Sequence, residues 1–142
     1  MKFIIILLLL PVLAFAQDDF FTSTKLLAEQ GNPEGQLRLG AMYEKGKGVP
    51  QNYAEAVTWY RLAAEQGLAQ AQFALGLSYG RGNGVPQSDT RAYLWFSIAA
   101  AQGHEVALKN RDLASERLTV GARNRTQERA TRCFDSGFKD CD

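Results

Sequence analysis

The chain has 142 residues, enough for about one domain, and carries 16 Lys and Arg against 15 Asp and Glu, a formal net charge of +1. A charge so close to zero provides no global electrostatic attraction to nucleic acid or to anionic membranes. The composition therefore argues against both of these as partners.

The first 16 residues have the three parts of a secretory signal peptide. Lys2 gives a basic start, an apolar run follows, and the segment ends in Ala14-Phe15-Ala16. The apolar stretch covers residues 3–16, whereas a membrane-spanning helix needs about 20 residues. We expect cleavage after Ala16 and a mature chain without a membrane span, periplasmic or secreted; an uncleaved anchor is the alternative.

A 36-residue period follows in the middle of the chain. Shifting the sequence by this period places Leu39-Gly40 on Leu75-Gly76, Trp59 on Trp95, and Ala63-Ala64 on Ala99-Ala100. Matches spread over a whole period of this length indicate stacked structural units. The predicted organisation is a half unit at 17–31, full units at 32–67 and 68–103, and a divergent cap with a closed tail at 104–142.

Each full unit has the signals of two helices joined by a glycine turn. In the first unit, Asn32 and Pro33 suit a helix start, and Gly46 suits its end. A second helix begins at Asn52, with Glu55 three residues later, and ends near Gly67. The pattern predicts an all-α protein.

Gly40 and Gly76 recur in the middle of first helices, where glycine costs up to about 1 kcal/mol relative to alanine. A recurrent glycine there predicts that another helix backbone comes close. The residues expected to face these glycines are Ala63, Ala99, Trp59 and Trp95.

The two units share the pattern Leu-Gly-x-x-Tyr-x-x-Gly-x-Gly-Val-Pro, followed by Ala-x-x-Trp-x-x-x-Ala-Ala-x-x-Gly. This pattern, from about Ala28 to Ala107, resembles the Sel1-like repeat family, a 36-residue relative of tetratricopeptide repeats. The resemblance implies a right-handed α-solenoid that acts as an adaptor or scaffold. Within the family, the chain is similar to small exported bacterial members. One disulfide-rich branch of that family is described as penicillin-binding, but the cysteine pairs that recur through its repeats are absent here.

The two cysteines, Cys133 and Cys141, lie in the last ten residues. In an exported protein such a pair usually forms a disulfide, with free thiols or a metal site as alternatives. His104 is the single histidine, and no Cys/His cluster has zinc spacing. We expect a disulfide, and no catalytic set, metal site or cofactor, since His104 lacks a recognisable nucleophile or orienting partner in the sequence.

In helical solenoids the first helices of successive units commonly line a binding groove. Residues three and four apart on the first helices form a stripe whose members differ between units, while the neighbouring positions repeat. Such variation is expected of a binding surface built on a repeated scaffold. Neutral sequence drift at exposed positions gives the same pattern. The members of the stripe are Arg38, Met42 and Lys45, then Ala74, Ser78 and Arg81, and then Asn110 with Ala114. The basic members favour a protein or peptide partner with acidic character.

The sequence thus favours an exported protein-interaction module. The alternative is a hydrolase of β-lactams or cell-wall amides that would depend on His104. With two full units the chain is short for a solenoid, so end-to-end stacking of two copies is left open.

Overall fold

The computed structural model describes residues 10–139 and Cys141, with side chains from Asp19 onward. Over these residues the chain forms seven α-helices and no strand. The helices are α1 (Leu10–Glu29), α2 (Pro33–Lys45), α3 (Tyr53–Glu65), α4 (Ala69–Arg81), α5 (Asp89–Ala101), α6 (Glu105–Ser115) and α7 (Val120–Asp135). The predicted all-α solenoid is confirmed: α2 with α3, and α4 with α5, form the two full units, and α6 opens a third.

The predicted signal peptide lies partly outside the described residues, because residues 1–9 are not among them. From Leu10 the backbone of α1 is helical through Ala16 to Glu29. None of the described helices is both long and apolar enough to span a membrane.

Helix starts and ends follow the predicted capping residues. The Asn32 side chain accepts a hydrogen bond from the Gly35 N–H at 2.7 Å, and Asn52 accepts one from the Glu55 N–H at 3.1 Å. Gly46 has φ of 66°, so it ends α2 in the left-handed conformation that L side chains rarely adopt. Gly82 ends α4 in the same way, with φ of 72°. A left-handed glycine therefore ends the first helix in both units, whereas α4 begins after Leu68 without a side-chain cap.

Within each unit an aromatic ring of the second helix packs on the mid-helix glycine of the first, and the predicted close backbone is found only at Gly40, where an added Cβ would be 3.1 Å from the Ala56 carbonyl oxygen. A Cβ built on Gly40 would lie 2.6 Å from two ring atoms of Tyr60, and one on Gly76 would lie 2.6 Å from two ring atoms of Phe96. The aromatic rings occupy the space that a side chain would need.

Neither the tryptophans nor the alanines predicted to face the glycines supply the atoms nearest to them. The rings against the glycines are Tyr60 and Phe96, each one position after the tryptophan that was expected there. Trp95 is fully buried elsewhere in the core, and Trp59 is half-buried. One residue corresponds to a rotation of about 100° around the helix axis, so neighbouring residues face different elements.

Small residues also let each unit approach the next. Gly35 of α2 lies against the end of α1, where an added Cβ would be 2.9 Å from the Ala28 nitrogen. The corresponding residues of α4 and α6 are Ala71 and Ala107, and both are fully buried. A larger side chain at these positions would separate consecutive units.

Buried glutamines connect consecutive helices in a pattern that sequence reasoning missed. Gln72 of α4 donates to the Ala64 carbonyl of α3 at 3.1 Å and accepts from the Gln102 side chain, after α5, at 2.6 Å. Gln36 makes the equivalent bonds, donating to Ala28 at 3.3 Å and accepting from Gln66 at 2.7 Å. Each buried amide therefore ties three successive helices together while its own polar atoms remain satisfied.

The repeat ends because α7 does not occupy the place of a regular second helix. It packs on α5 rather than pairing with α6. In α6, Arg111 and Asp112 stand where the other units have Leu and Gly, so the glycine on which a second-helix ring packs is missing there. Helices α4, α6 and α7 thus surround α5, and residues 92–99 of α5 are all buried.

The tail after α7 folds back over the repeats and is closed by the predicted disulfide. Cys133 and Cys141 are bonded and buried. The loop between them places the Phe138 ring over Gly67, where an added Cβ would be 2.7 Å from the ring, and edge-on to Phe134 at 5.6 Å. The disulfide therefore holds the cap against the turn between α3 and α4.

Reduction of this disulfide should lower the free energy of unfolding by about 2–3 kcal/mol, the chain-entropy value for a nine-residue loop. Urea denaturation of the protein with and without reductant measures the difference. A double Cys133→Ala, Cys141→Ala variant is the control, since reductant should not affect it. Equal stability of the oxidised and reduced wild-type protein would contradict the assigned role of the tail.

Candidate functional site: the face of the first helices

The predicted groove residues divide into accessible and buried sets. Arg38, Lys45 and Arg81 are exposed, and Ala74 and Asn110 are half-buried. Met42 and Ser78, in contrast, are 7% and 6% exposed, and the Ser78 hydroxyl donates to the Ala74 carbonyl at 3.0 Å. The expectation that these two residues present side chains to a partner was therefore wrong.

The accessible stripe is displaced by one residue from the predicted one. Ala41 and Leu77 are half-buried where Met42 and Ser78 are buried, and Leu113 is 60% exposed where its neighbour Ala114 is 6% exposed. The sequence spacing of three and four residues fits both stripes, so periodicity alone could not separate them. The surface formed by positions 38, 41, 45, 74, 77, 81, 110, 113 and 117 is called the first-helix face below.

Arg81 and Asn110, which were predicted separately, meet in the structure at a cleft between α4, α5 and α6. The cleft has a volume of about 270 Å³, and Leu77, Phe96 and Leu113 form its apolar part. Arg117 stands at its edge and contacts the Asp89 carboxylate at 3.4 Å. The site thus combines apolar surface with a basic rim.

In the first unit a hydrogen-bonded polar pair occupies the positions that correspond to Gly80 and Phe96. The Tyr60 hydroxyl of α3 donates to the Glu44 carboxylate of α2 at 2.8 Å. Burial, together with this bond to the Glu44 carboxylate, raises the pKa of the Tyr60 phenol and keeps it protonated. In the second unit Gly80 and Phe96 occupy the same two positions, so both the carboxylate and the hydroxyl are absent.

Sequence reasoning did not identify Gly80, Phe96, Leu113 or Arg117 as site residues. A signal was present, because the 36-residue shift places Glu44 on Gly80 and Tyr60 on Phe96. Between the first and second units, Glu44 is replaced by the smaller Gly80, and its hydrogen-bond partner Tyr60 is replaced by the less polar Phe96. Such a double replacement indicates a local opening once the two positions are known to be in contact.

His104 has a structural role in the described protein. Its Nδ1 accepts a hydrogen bond from the Ala107 N–H at 3.1 Å, which caps α6, and its ring stacks on Phe73 with centroids 4.7 Å apart. Among residues 10–139 and 141, no hydrogen bond joins His104 to a nucleophile or an orienting carboxylate. In the same range, no group of three or more His, Cys, Asp or Glu side chains is placed to hold a metal ion.

Repeated helix pairs, periodic glycines and an accessible first-helix face define a helical-repeat solenoid. The Sel1 repeat family model matches residues 33–68 and 69–104, slightly more than half of the chain. The chain therefore belongs to the Sel1 repeat family. Proteins built from these repeats generally mediate protein–protein interactions, and they are typically non-enzymatic scaffolds.

Two solved structures illustrate the similarity. One is c5321, a protective antigen present in uropathogenic Escherichia coli strains and displaying an SLR fold; it is 26% identical, with a TM-score of 0.76 over 86% of this chain. The other is a Sel1 repeat protein from Oxalobacter formigenes, 43% identical, with a TM-score of 0.57 over 58% of this chain. The match covers 28% of the first protein and 63% of the second. No curated protein matches this chain.

Replacing His104 by alanine should lower the free energy of unfolding by about 1 kcal/mol, because α6 loses its side-chain cap. His104→Asn should recover much of this loss, since asparagine is a strong capping residue but cannot stack on Phe73 in the same way. Urea unfolding of the three proteins provides the comparison. If the asparagine variant were as unstable as the alanine variant, capping would not be the role of His104.

Proposed function

We propose that this protein is an exported protein-interaction module that binds a protein or peptide segment on its first-helix face. The observation that carries the proposal is the combination, on one accessible surface, of apolar side chains with cations. Leu77 and Leu113 lie beside Arg81 and Arg117; the first three residues belong to α4 and α6, and Arg117 lies in the turn that follows α6. Interfaces of this composition take their energy from apolar anchors and their selectivity from charge.

Export is supported by two independent features. Residues 1–16 have the pattern of a signal peptide. The Cys133–Cys141 disulfide is compatible with an oxidising compartment, such as the periplasm or the exterior.

The hydrolase alternative has no structural observation in its favour: His104 Nδ1 caps α6, and the ring stacks on Phe73. Turnover of a β-lactam or a cell-wall fragment that is lost in His104→Ala but retained in an equally destabilised variant would nevertheless support an enzyme.

Crosslinking in living cells, followed by mass spectrometry, should identify an envelope protein joined to the first-helix face. Reversing the charge at Arg38 and Arg81 to Glu should abolish its recovery from envelope extract, because both residues are exposed on that face.

Arg132→Glu is the matched control, since Arg132 is exposed on α7, away from the first helices. Recovery should be unchanged in this variant. A partner that is retained by the Arg38 and Arg81 variant but lost with Arg132→Glu would place the binding surface on the cap instead.

A further inference from the structure

One difference between the two full units removes a hydrogen-bonded pair of side chains from the space between the two helices. In the first unit the Glu44 side chain lies between the helices and accepts the Tyr60 hydroxyl at 2.8 Å. In the second unit Gly80 and Phe96 stand at these positions, so the carboxylate and the hydroxyl are both absent. Because both partners of the hydrogen bond are replaced, no buried polar atom loses its partner.

The space at Gly80 is open rather than filled by a neighbour. A Cβ built on Gly80 would meet only the Ala92 Cβ, at 3.7 Å, which is an ordinary van der Waals distance. At Gly76, one helical turn earlier, an added Cβ would be only 2.6 Å from the Phe96 ring. Gly76 is therefore required for packing, whereas Gly80 is not, although glycine in a helix costs stability relative to alanine.

The cleft beside Gly80 has the size and surface of a side-chain pocket. Its volume is about 270 Å³, below the range of about 300–1,000 Å³ that is typical of sites for drug-sized molecules or cofactors. Phe96, Leu77 and Leu113 supply apolar walls, and Leu113 is 60% exposed. One bulky apolar side chain of a partner would fill this space and cover Leu113.

The charges at the rim favour an acidic neighbour to that side chain. Arg81 is exposed and makes no ion pair within the described part of the chain. Arg117 is exposed as well, and its contact with Asp89 at 3.4 Å is accessible to solvent. Two cations against one carboxylate leave the rim positive, so a carboxylate of the partner would be attracted there.

We propose that the cleft between α4, α5 and α6 is an anchor pocket for a linear protein segment that carries a bulky apolar residue next to an Asp or Glu. This inference rests on the proposed function and specifies the recognition element. The second unit supplies the pocket. In the first unit the hydrogen-bonded Glu44 and Tyr60 side chains occupy the corresponding positions.

The test uses a displayed library of random 12-residue peptides selected on the full mature protein, with affinities then measured by fluorescence anisotropy. Selected peptides should be enriched in an aromatic or large aliphatic residue beside an acidic one. Their affinity should fall as salt rises from low to physiological concentration, because the rim charges are exposed.

Two variants fill the pocket in different ways. Gly80→Glu with Phe96→Tyr recreates the pair found in the first unit, and Gly80→Leu fills the space without adding charge. Each should weaken peptide binding at least about tenfold, the effect of losing one anchoring contact. Gly80→Ala adds one methyl group and should retain most of the affinity, and thermal unfolding verifies that all three variants are folded.

A second pair of variants tests whether the positive charge at the rim of the cleft is required for peptide binding. Arg81→Gln should weaken binding several-fold, whereas Arg132→Gln, which removes an exposed arginine of α7 outside the first-helix face, should have little effect. Equal effects of both substitutions would show that general charge attracts the peptide, and this would overturn the assignment of the cleft.

Peptides that bind wild type and both filled variants equally would overturn the pocket but leave the proposed interaction function intact. Failure to select any peptide would also overturn the pocket. The interaction function would in that case be judged separately, by the crosslinking experiment with Arg38 and Arg81 reversed.

Discussion

The close contact between an aromatic ring and a helix backbone without a side chain is the constraint on which the structure depends. Tyr60 against Gly40, and Phe96 against Gly76, set the distance between the two helices of each unit. Helices at this distance bury the small residues that follow, including Ala63 and Ala99, which are fully buried. The units can then stack through Gly35, Ala71 and Ala107, and the buried glutamines become able to bridge three helices.

The repeated helix packing allows the two units to carry different residues at positions where packing does not require the same one. Glu44 and Tyr60 occupy a position that Gly80 and Phe96 leave open, while Gly40 and Gly76 are unchanged. The proposed pocket is thus a local variation on a repeated scaffold, and it costs the fold no unsatisfied polar group. The cap completes the arrangement, because α7 packs on α5 rather than on α6 and leaves Leu113 accessible at the edge of the cleft.

The repeat made most of the fold predictable, because many helix boundaries carry a local signal, such as Asn32, Gly46 or Asn52. The start of α4, after Leu68, has no such cap and follows only from the repeat. The site was less predictable. Met42 and Ala41 both satisfy helical spacing, and only the position of the neighbouring unit decides which one is buried. For the same reason, the aromatic residue that packs on each mid-helix glycine lies one position after the tryptophan that was predicted. The Cys133–Cys141 disulfide was predictable from its context, but the contact of Phe138 with Gly67 depends on how the tail folds back.

A double-mutant cycle between Gly76→Ala and Phe96→Leu tests the central contact most directly. In the wild-type background the alanine should cost about 1–3 kcal/mol through overpacking, and this cost should decrease clearly once the ring is removed. Gly80→Ala in the same helix should instead stabilise the protein by up to about 1 kcal/mol, because its Cβ has room. Additive effects of the two substitutions, or equal effects of alanine at positions 76 and 80, would contradict the account.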